Sequence, residues 1–151
     1  MKDGAGVTAS HFGICVSDSD CSQRFYAEAL GYSFSHEVDF AAPFDTLTET
    51  PGLDGHAVFM TKGDVCIELI SYRAPDPVGP AKRRPMHQLG LTHMAVIVED
   101  IDATAGRIEA LGGTVLRDTR VDTPMGDMMF ATDPDGVRIE LWEKKENPEA
   151  T

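Results

Sequence analysis

The chain contains two related segments, and this internal repeat constrains its fold more than any other feature. One segment starts at His11 and reads HFGICVSD, and the other starts at His93 and reads HMAVIVED. Farther along, each half carries a glutamate inside the tripeptide IEL, namely Glu68 and Glu140. The repeat predicts two similar modules, each with a histidine and a glutamate on strands whose other residues are mostly apolar.

The first copy is predicted to have the element order β-α-β-β-β. Its helix is capped by the serines and aspartates at 17–20 and ends at Gly31, because glycine readily adopts the left-handed backbone that closes a helix. The predicted elements are a strand at 7–16, a helix at 21–30, strands at 32–38, 56–60 and 65–72, and a long loop at 39–54.

The second copy repeats this order after a connector at 74–89 that holds four prolines. Proline at this density cannot continue a helix or a sheet, so we place module one at about 7–73 and module two at about 90–143 of a single domain, 1–151. The predicted elements are a strand at 91–98, a helix at 101–111, a short strand at 114–117, a hairpin of strands at 125–132 and 137–142 around a turn at 133–136, and a polar tail from 143 onward.

The four repeated side chains should converge if the modules pack with pseudo-twofold symmetry around a concave sheet. Because side chains alternate along a strand, Glu68 and Glu140 point away from their apolar neighbours and onto the concave face. Buried carboxylates without partners are costly, and two of them repel each other. One divalent cation held by these glutamates with His11 and His93 resolves both problems, although a lone histidine or glutamate on an apolar strand is more often structural.

Composition limits the classes of function. The 151 residues, 42% apolar and 25% charged, suit one folded domain. A formal charge of -12 argues against general binding to nucleic acid phosphates. No apolar run resembles a signal peptide or reaches the roughly 20 residues of a membrane span, so we expect a cytoplasmic protein with no nucleic-acid or membrane partner. Cys15 and Cys66 lie in strand-like sequence and are expected to be reduced core residues.

The motifs of this chain resemble those of the vicinal oxygen chelate superfamily, which includes glyoxalase I, methylmalonyl-CoA epimerase, extradiol dioxygenases and fosfomycin or bleomycin resistance proteins. The resemblance covers about 8–142 and implies an α+β fold, in which two βαβββ modules form a cup-shaped, barrel-like mixed sheet around one divalent metal. Its motifs are the two histidine-led segments, Phe25-Tyr26 with Leu30-Gly31, Ile67-Glu68-Leu69, Gly90-Leu-Thr-His93, Leu111-Gly112-Gly113, and Asp133-Pro-Asp-Gly136 before Ile139-Glu140-Leu141.

The resemblance also implies a ligand set and a class of reaction. Glyoxalase I-like and epimerase members use four protein ligands, which correspond to His11, Glu68, His93 and Glu140. Extradiol dioxygenases lack the equivalent of Glu68, so its presence favours an isomerase, epimerase or lyase that abstracts a proton next to a metal-bound carbonyl. Glu140 is the first candidate for the base and Glu68 the second.

The metal is expected to be Ni, Co, Zn, Mn or Fe, the substrate a small oxygenated molecule, and the assembly a homodimer of the kind common in the family. Two alternatives stay open. One is an extradiol-type ring-cleaving dioxygenase, and the other is a metal-free protein that binds a drug or another small molecule.

Three further residues are candidates for substrate binding. A four-residue loop at 133–136 pairs Met129 with Glu140 and Asp127 with Trp142, which would place Asp127 and Met129 at the cup. His56 lies on the same sheet face as the first glutamate or on the opposite face, depending on the length of the hairpin loop near 63.

Lys82, Arg83 and Arg84 form the only basic cluster of this acidic chain. They lie in the connector, where they could bind a phosphate or carboxylate of a charged substrate. A solvated linker is the simpler interpretation of the same residues.

Overall fold

The computed structural model describes residues 6–145. The element order is β1 (Phe12–Cys15), α1 (Ser19–Glu28), β2 (Ser33–Phe40), α2 (Phe44–Leu47), β3 (Asp54–Lys62), β4 (Val65–Ala74), β5 (Met94–Val98), α3 (Ile101–Ala110), β6 (Thr114–Thr123), β7 (Gly126–Thr132) and β8 (Arg138–Lys144). The strands form two four-stranded mixed sheets, which confirms the predicted α+β class. Within residues 6–145, no helix has the length and apolar content needed to cross a membrane.

The two sheets repeat one topology, as the internal repeat predicts. Their strand orders are β1-β4-β3-β2 and β5-β8-β7-β6. In each sheet the first strand runs parallel to the fourth, and the other neighbours are antiparallel. The parallel pair brings the start of each copy, where the histidine lies, next to the strand that carries the glutamate.

The chain divides into two compact units. The first consists of the residues up to Ser19 together with Tyr32–Pro77, and the second of Asp20–Gly31 together with the chain from Val78 onward. Helix α1 therefore belongs mainly to the unit that contains the second sheet. Predicted module one, 7–73, differs from the first unit by this helix.

In the first unit, alternate residues of the central strands β3 and β4 are fully buried. Val58 and Met60 lie opposite Leu69 and Ile67 on one face, and none of the four is exposed. The predicted loop at 39–54 is shorter in the structure, because β2 continues to Phe40 and α2 forms within it. Phe40 packs against Gly55 so closely that a β-carbon at Gly55 would lie 2.5 Å from its ring.

In the second unit, helix α3 begins where the sequence predicts. Asp100 caps it by accepting a hydrogen bond from the Ala103 N–H at 2.8 Å, and Ile101 and Ile108 are buried beneath it. The helix ends one residue earlier than predicted. Strand β8 runs to Lys144, so the predicted tail starts too early, and residues 146–151 of that tail lie outside the described part of the chain.

Strand β6 is longer than the predicted 114–117 because a side chain repairs an irregularity in its pairing. The register shifts between Leu116 and Val121. Thr119 Oγ1 donates to the Leu116 carbonyl at 2.6 Å and accepts from the Phe130 N–H at 2.9 Å. These bonds satisfy backbone groups that the interrupted ladder leaves without partners, and the strand continues to Thr123.

Two glycines of the second unit provide a test of its packing. A β-carbon on Gly113 would lie 2.5 Å from the Thr132 carbonyl oxygen, 2.7 Å from Ile108 and 2.8 Å from Phe25, whereas one on Gly106 in α3 would meet nothing within 4 Å. We expect Gly113→Ala to lower the free energy of unfolding by about 1–3 kcal/mol through overpacking. Gly106→Ala should raise it by about 0.5–1 kcal/mol through helix propensity. Urea unfolding measures both, and equal stabilities of the two variants would contradict this description.

Candidate metal centre

The first unit brings His11 and Glu68 into contact. His11 immediately precedes β1, and its Nε2 lies 3.1 Å from Glu68 Oε2 on the neighbouring strand β4. Phe59 of β3 lies directly opposite Glu68 and meets the His11 ring edge to face, with ring centroids 5.3 Å apart. The glutamate side chain is 19% exposed. The glutamate is thus half-buried, the histidine is more exposed, and the ring of Phe59 forms an aromatic floor beneath the pair.

The second unit builds the same arrangement from the second copy. His93 immediately precedes β5, and its Nε2 lies 3.1 Å from Glu140 Oε2 on strand β8. Phe130 of β7 lies directly opposite Glu140, and its ring centroid is 5.4 Å from that of His93. The repeat therefore holds for pair geometry as well as for sequence.

Both pairs suit a divalent metal by chemistry and by spacing. Imidazole nitrogens and carboxylate oxygens are ligands for Zn, Ni, Co, Mn and Fe. Two ligands bound at about 2.1 Å and roughly a right angle lie about 3 Å apart, close to the separation within each pair. That separation is also an ordinary hydrogen-bond length, so it fits a metal without requiring one.

Each histidine has a hydroxyl neighbour that can set its tautomer. Ser10 Oγ lies 2.9 Å from His11 Nδ1, and Thr92 Oγ1 lies 2.9 Å from His93 Nδ1. A hydroxyl oxygen can accept a hydrogen bond from Nδ1–H, which leaves the Nε2 lone pair directed at a metal. A similar contact joins a serine to His36, so the contact is not unique to the candidate ligands.

The structure brings the predicted ligands together as two pairs. In the described part of the chain, no group of three or more histidine, cysteine, aspartate or glutamate side chains is arranged to hold a metal ion. The convergence of His11, Glu68, His93 and Glu140 at one centre therefore stays a prediction.

The predicted pairing of β7 with β8 is wrong by one residue. Thr132 pairs with Arg138, so the loop has five residues, and Leu141, not Glu140, lies opposite Met129. Met129 consequently lies on the opposite face from Glu140 and is buried, with 2% of its surface exposed. Its expected place at the cup is corrected to a core position.

Asp127 lies on the same face as Met129, because it pairs with Glu143 instead of Trp142. Its Oδ2 accepts hydrogen bonds from the Arg120 guanidinium at 2.9 and 2.6 Å. The same guanidinium bonds Asp102, and it lowers the pKa of that carboxyl. The structure thus gives Asp127 an ion-pair role in place of the expected substrate contact.

The two-residue turn after Lys62 decides the position of His56. His56 pairs with Ser71, and its side chain lies on the face opposite Glu68. Its ring contacts acidic side chains of β2, with Nδ1 2.9 Å from Asp39 Oδ1. Arg73 and His56 both bond Asp39 and hold the pKa of its carboxyl below the usual range. His56 therefore lies away from the candidate ligands.

The expected core position of Cys15 is also wrong. Cys15 is exposed, while Cys66 is half-buried on the Glu68 face. Strand β1 is short and largely exposed, so its apolar sequence does not place Cys15 in the interior.

Sequence reasoning missed the second contact of each aromatic floor. Phe59 stacks on His36, with ring centroids 4.3 Å apart. The Arg138 guanidinium carbon lies over the ring of Phe130, 5.0 Å from its centroid. Arg138 precedes Glu140 by two residues, so strand alternation alone would have placed both on one face. Burial lowers the pKa of Arg138, and the nearby charge of Arg83 adds to that effect.

The basic connector is docked onto β8 and the turn before it. Arg138 Nη2 donates to the Arg84 carbonyl at 2.9 Å, and Arg84 Nη2 donates to the Leu89 carbonyl. A β-carbon on Gly136 would lie 2.4 Å from the Lys82 backbone, which requires glycine at this position of φ +88°. The residues of the connector, 74–89, are nevertheless exposed, so the predicted linker is solvated and at the same time attached to β8 and the turn before it.

A model of the Glyoxalase/Bleomycin resistance protein/Dioxygenase superfamily matches residues 8–141, and the chain belongs to this superfamily. A 2-epi-5-epi-valiolone epimerase from an Actinomyces species is 32% identical to it over 146 residues, which cover 89% of this chain and 78% of that protein. A probable lactoylglutathione lyase from a Synechocystis species is 30% identical over 139 residues, which cover 87% of this chain and 91% of that protein.

The crystal structure of a glyoxalase family protein from Bacillus cereus is similar with a TM-score of 0.84. The match covers 97% of this chain and 99% of that one at 18% identity. This similarity confirms the glyoxalase fold.

Proposed function

We propose that the chain is a divalent-metal-dependent isomerase, epimerase or lyase that abstracts a proton next to a carbonyl group of a small oxygenated substrate. The observation that supports it most is the repeated His–Glu pair, with the same 3.1 Å contact and the same aromatic floor in both units. The names of the relatives, an epimerase and a probable lyase, fall in the same classes of reaction.

The proposed ligands are His11, Glu68, His93 and Glu140. A divalent ion bound by them would supply a fixed positive charge that stabilises negative charge developing on a substrate oxygen. Two carboxylates and two neutral imidazoles leave such a site electrically neutral.

Glu140 is the proposed base, with Glu68 as second candidate. Its side chain is 22% exposed, so it can reach a substrate, and Phe130 lies directly opposite it on β7. The carboxylate takes the proton of the carbon next to the carbonyl, and the C–H electron pair moves toward the carbonyl oxygen. Return of the proton to the other face of that carbon gives an epimer, and return to a neighbouring carbon gives an isomer.

Elemental analysis of the protein purified without chelator tests the metal. We expect about one Ni, Co, Zn or Mn per chain. His93→Ala should lose it, because an open coordination position weakens binding strongly. His56→Ala is the matched control and should keep the wild-type metal content, since His56 lies on the other face of its sheet.

The other outcomes separate the alternatives. Iron together with oxygen consumption in the presence of a catechol would replace this proposal with the dioxygenase. A chain that binds no metal even after incubation with excess divalent ions would be a small-molecule-binding protein.

The names of the two relatives provide probe substrates, lactoylglutathione and 2-epi-5-epi-valiolone. In deuterium oxide, the wild-type protein is proposed to exchange the proton next to the carbonyl of at least one of them. The acting form is proposed to be a cytoplasmic homodimer, which sedimentation analysis would detect as twice the chain mass of 16.4 kDa.

A further inference from the structure

Arg138 is a buried cation close to the proposed reaction site. It lies on the same face of β8 as Glu140, about 7 Å along the strand. Its guanidinium lies over the ring of Phe130, which also contacts His93. One aromatic ring therefore connects the arginine with the His93 and Glu140 pair.

No carboxylate in the described residues forms an ion pair with Arg138, although the chain has 25 acidic and 13 basic residues. The residue is 9% exposed, and its Nε is buried without a hydrogen-bond partner. By contrast, several other arginines pair with carboxylates, and these are Arg24, Arg73, Arg117 and Arg120.

The surroundings of Arg138 only partly compensate its charge. The Arg84 carbonyl accepts one of its hydrogen bonds, and the Phe130 ring offers a cation–π contact. Burial of an unpaired charge is otherwise costly. The docked connector adds the positive charge of Arg83 to the same region, which raises the local attraction for anions.

We propose that Arg138 binds an anionic oxygen group, a carboxylate or a phosphate, of the ligand that reacts at the His93 and Glu140 pair. A planar guanidinium can bond two oxygens of such a group at once. The assignment of the reacting end of the ligand depends on the proposed function. The assignment of the anion site depends only on the surroundings of Arg138 and on the connector.

Titration of the full-length protein with inorganic phosphate, and separately with acetate, tests the site. The readout is the Nε–H resonance of Arg138 in ¹⁵N NMR, identified by its loss in Arg138→Lys. We expect a saturable shift with a dissociation constant of millimolar order for one of the anions. Arg138→Gln should weaken binding of that anion, followed by backbone resonances, at least about tenfold.

Arg107→Gln is the control, because Arg107 lies on α3 of the same unit and bonds Thr104 and the Ala29 carbonyl. It should bind the anion as wild type does. The titration is repeated with His93→Ala, in which an anion cannot be held by a metal at the proposed site. Wild-type protein that holds no metal even with excess divalent ion, yet binds the anion, would overturn the proposed reaction alone.

Saturation by phosphate assigns a phosphorylated ligand, and saturation by acetate assigns a carboxylate. Three results would overturn the anion site. They are no saturable shift with either anion, unchanged binding in Arg138→Gln, and binding that disappears in His93→Ala although that variant is folded. If Arg138→Gln does not fold, Arg138→Lys replaces it, and wild-type affinity in that variant would count against recognition by the planar guanidinium.

Discussion

Replacing Glu140 with glutamine is expected to slow proton exchange of the responsive probe substrate at least about 100-fold, because an amide cannot act as a base at neutral pH. The fold should persist, since the substitution keeps the volume of a side chain that is only partly buried. Deuterium incorporation followed by NMR measures the rate, and circular dichroism checks the fold.

Two comparisons sharpen the Glu140 test. Glu109→Gln is the control. Glu109 is an exposed residue of α3 that pairs with Arg117, so this variant should leave exchange unchanged. Glu68→Gln and Glu140→Gln are both assayed with excess divalent ion to restore metal content, and Glu68→Gln should then retain more exchange than Glu140→Gln if Glu140 is the base. Wild-type exchange by Glu140→Gln combined with lost exchange by Glu68→Gln would reverse the two assignments.

Asp133→Ala is expected to lower the free energy of unfolding by about 3 kcal/mol or more, the second large effect. The side chain is 2% exposed and organises the turn before β8. Its Oδ1 accepts from the backbone N–H groups of Asp135 and Val137, and its Oδ2 accepts from the Tyr26 hydroxyl of α1. Alanine leaves all three donors without this acceptor in a buried region.

Asp133→Asn is the matched variant and has a distinct pH signature. Its Oδ1 can keep both backbone bonds, and its NH₂ can donate to the Tyr26 oxygen. Burial raises the pKa of Asp133 to about 6 from an ordinary value of 3.8. The folded protein therefore favours the protonated form, so wild-type stability from this group falls as pH rises from about 4 to about 6.

The pKa difference corresponds to a loss of about 3 kcal/mol across that window. Asp133→Asn removes this contribution and should gain stability relative to wild type as pH rises. Urea unfolding at pH 4.5 and pH 8 measures the difference in stability between Asp133→Asn and wild type. The other carboxyl groups contribute equally to both proteins and therefore cancel in this difference. An asparagine variant as unstable as Asp133→Ala at both pH values would contradict the assignment.

Much of the fold could be predicted because its signals are local. The helix α3 is encoded by the Asp100 cap and by apolar residues at helical spacing, and its end is marked by Gly112. The repeated His-led and IEL segments predicted two modules of the same element order, and each module forms a four-stranded sheet of the same topology. The contact within each His–Glu pair was not predicted, because it depends on the parallel pairing of the first and fourth strands that the structure shows.

Face assignments near the hairpins were less predictable, because one residue in a loop inverts the side of the sheet on which a residue lies. The turn before β8 includes Val137, since Asp133 bonds both the N–H and the carbonyl of Val137, and this moved Met129 and Asp127 away from the Glu140 face. The two-residue turn after Lys62 decided the face of His56 in the same way.

By itself, the sequence determined the repeated βαβββ order and the residue types of the candidate ligands, because apolar periodicity, helix caps and internal duplication are properties of neighbouring positions. Only the tertiary structure decided that α1 joins the second unit through Tyr26 and Asp133. It alone also showed that Arg138 lies buried over Phe130 without a carboxylate partner among residues 6–145. Both depend on contacts between residues far apart in the chain, whose energies come from packing and hydrogen bonds that no local pattern records.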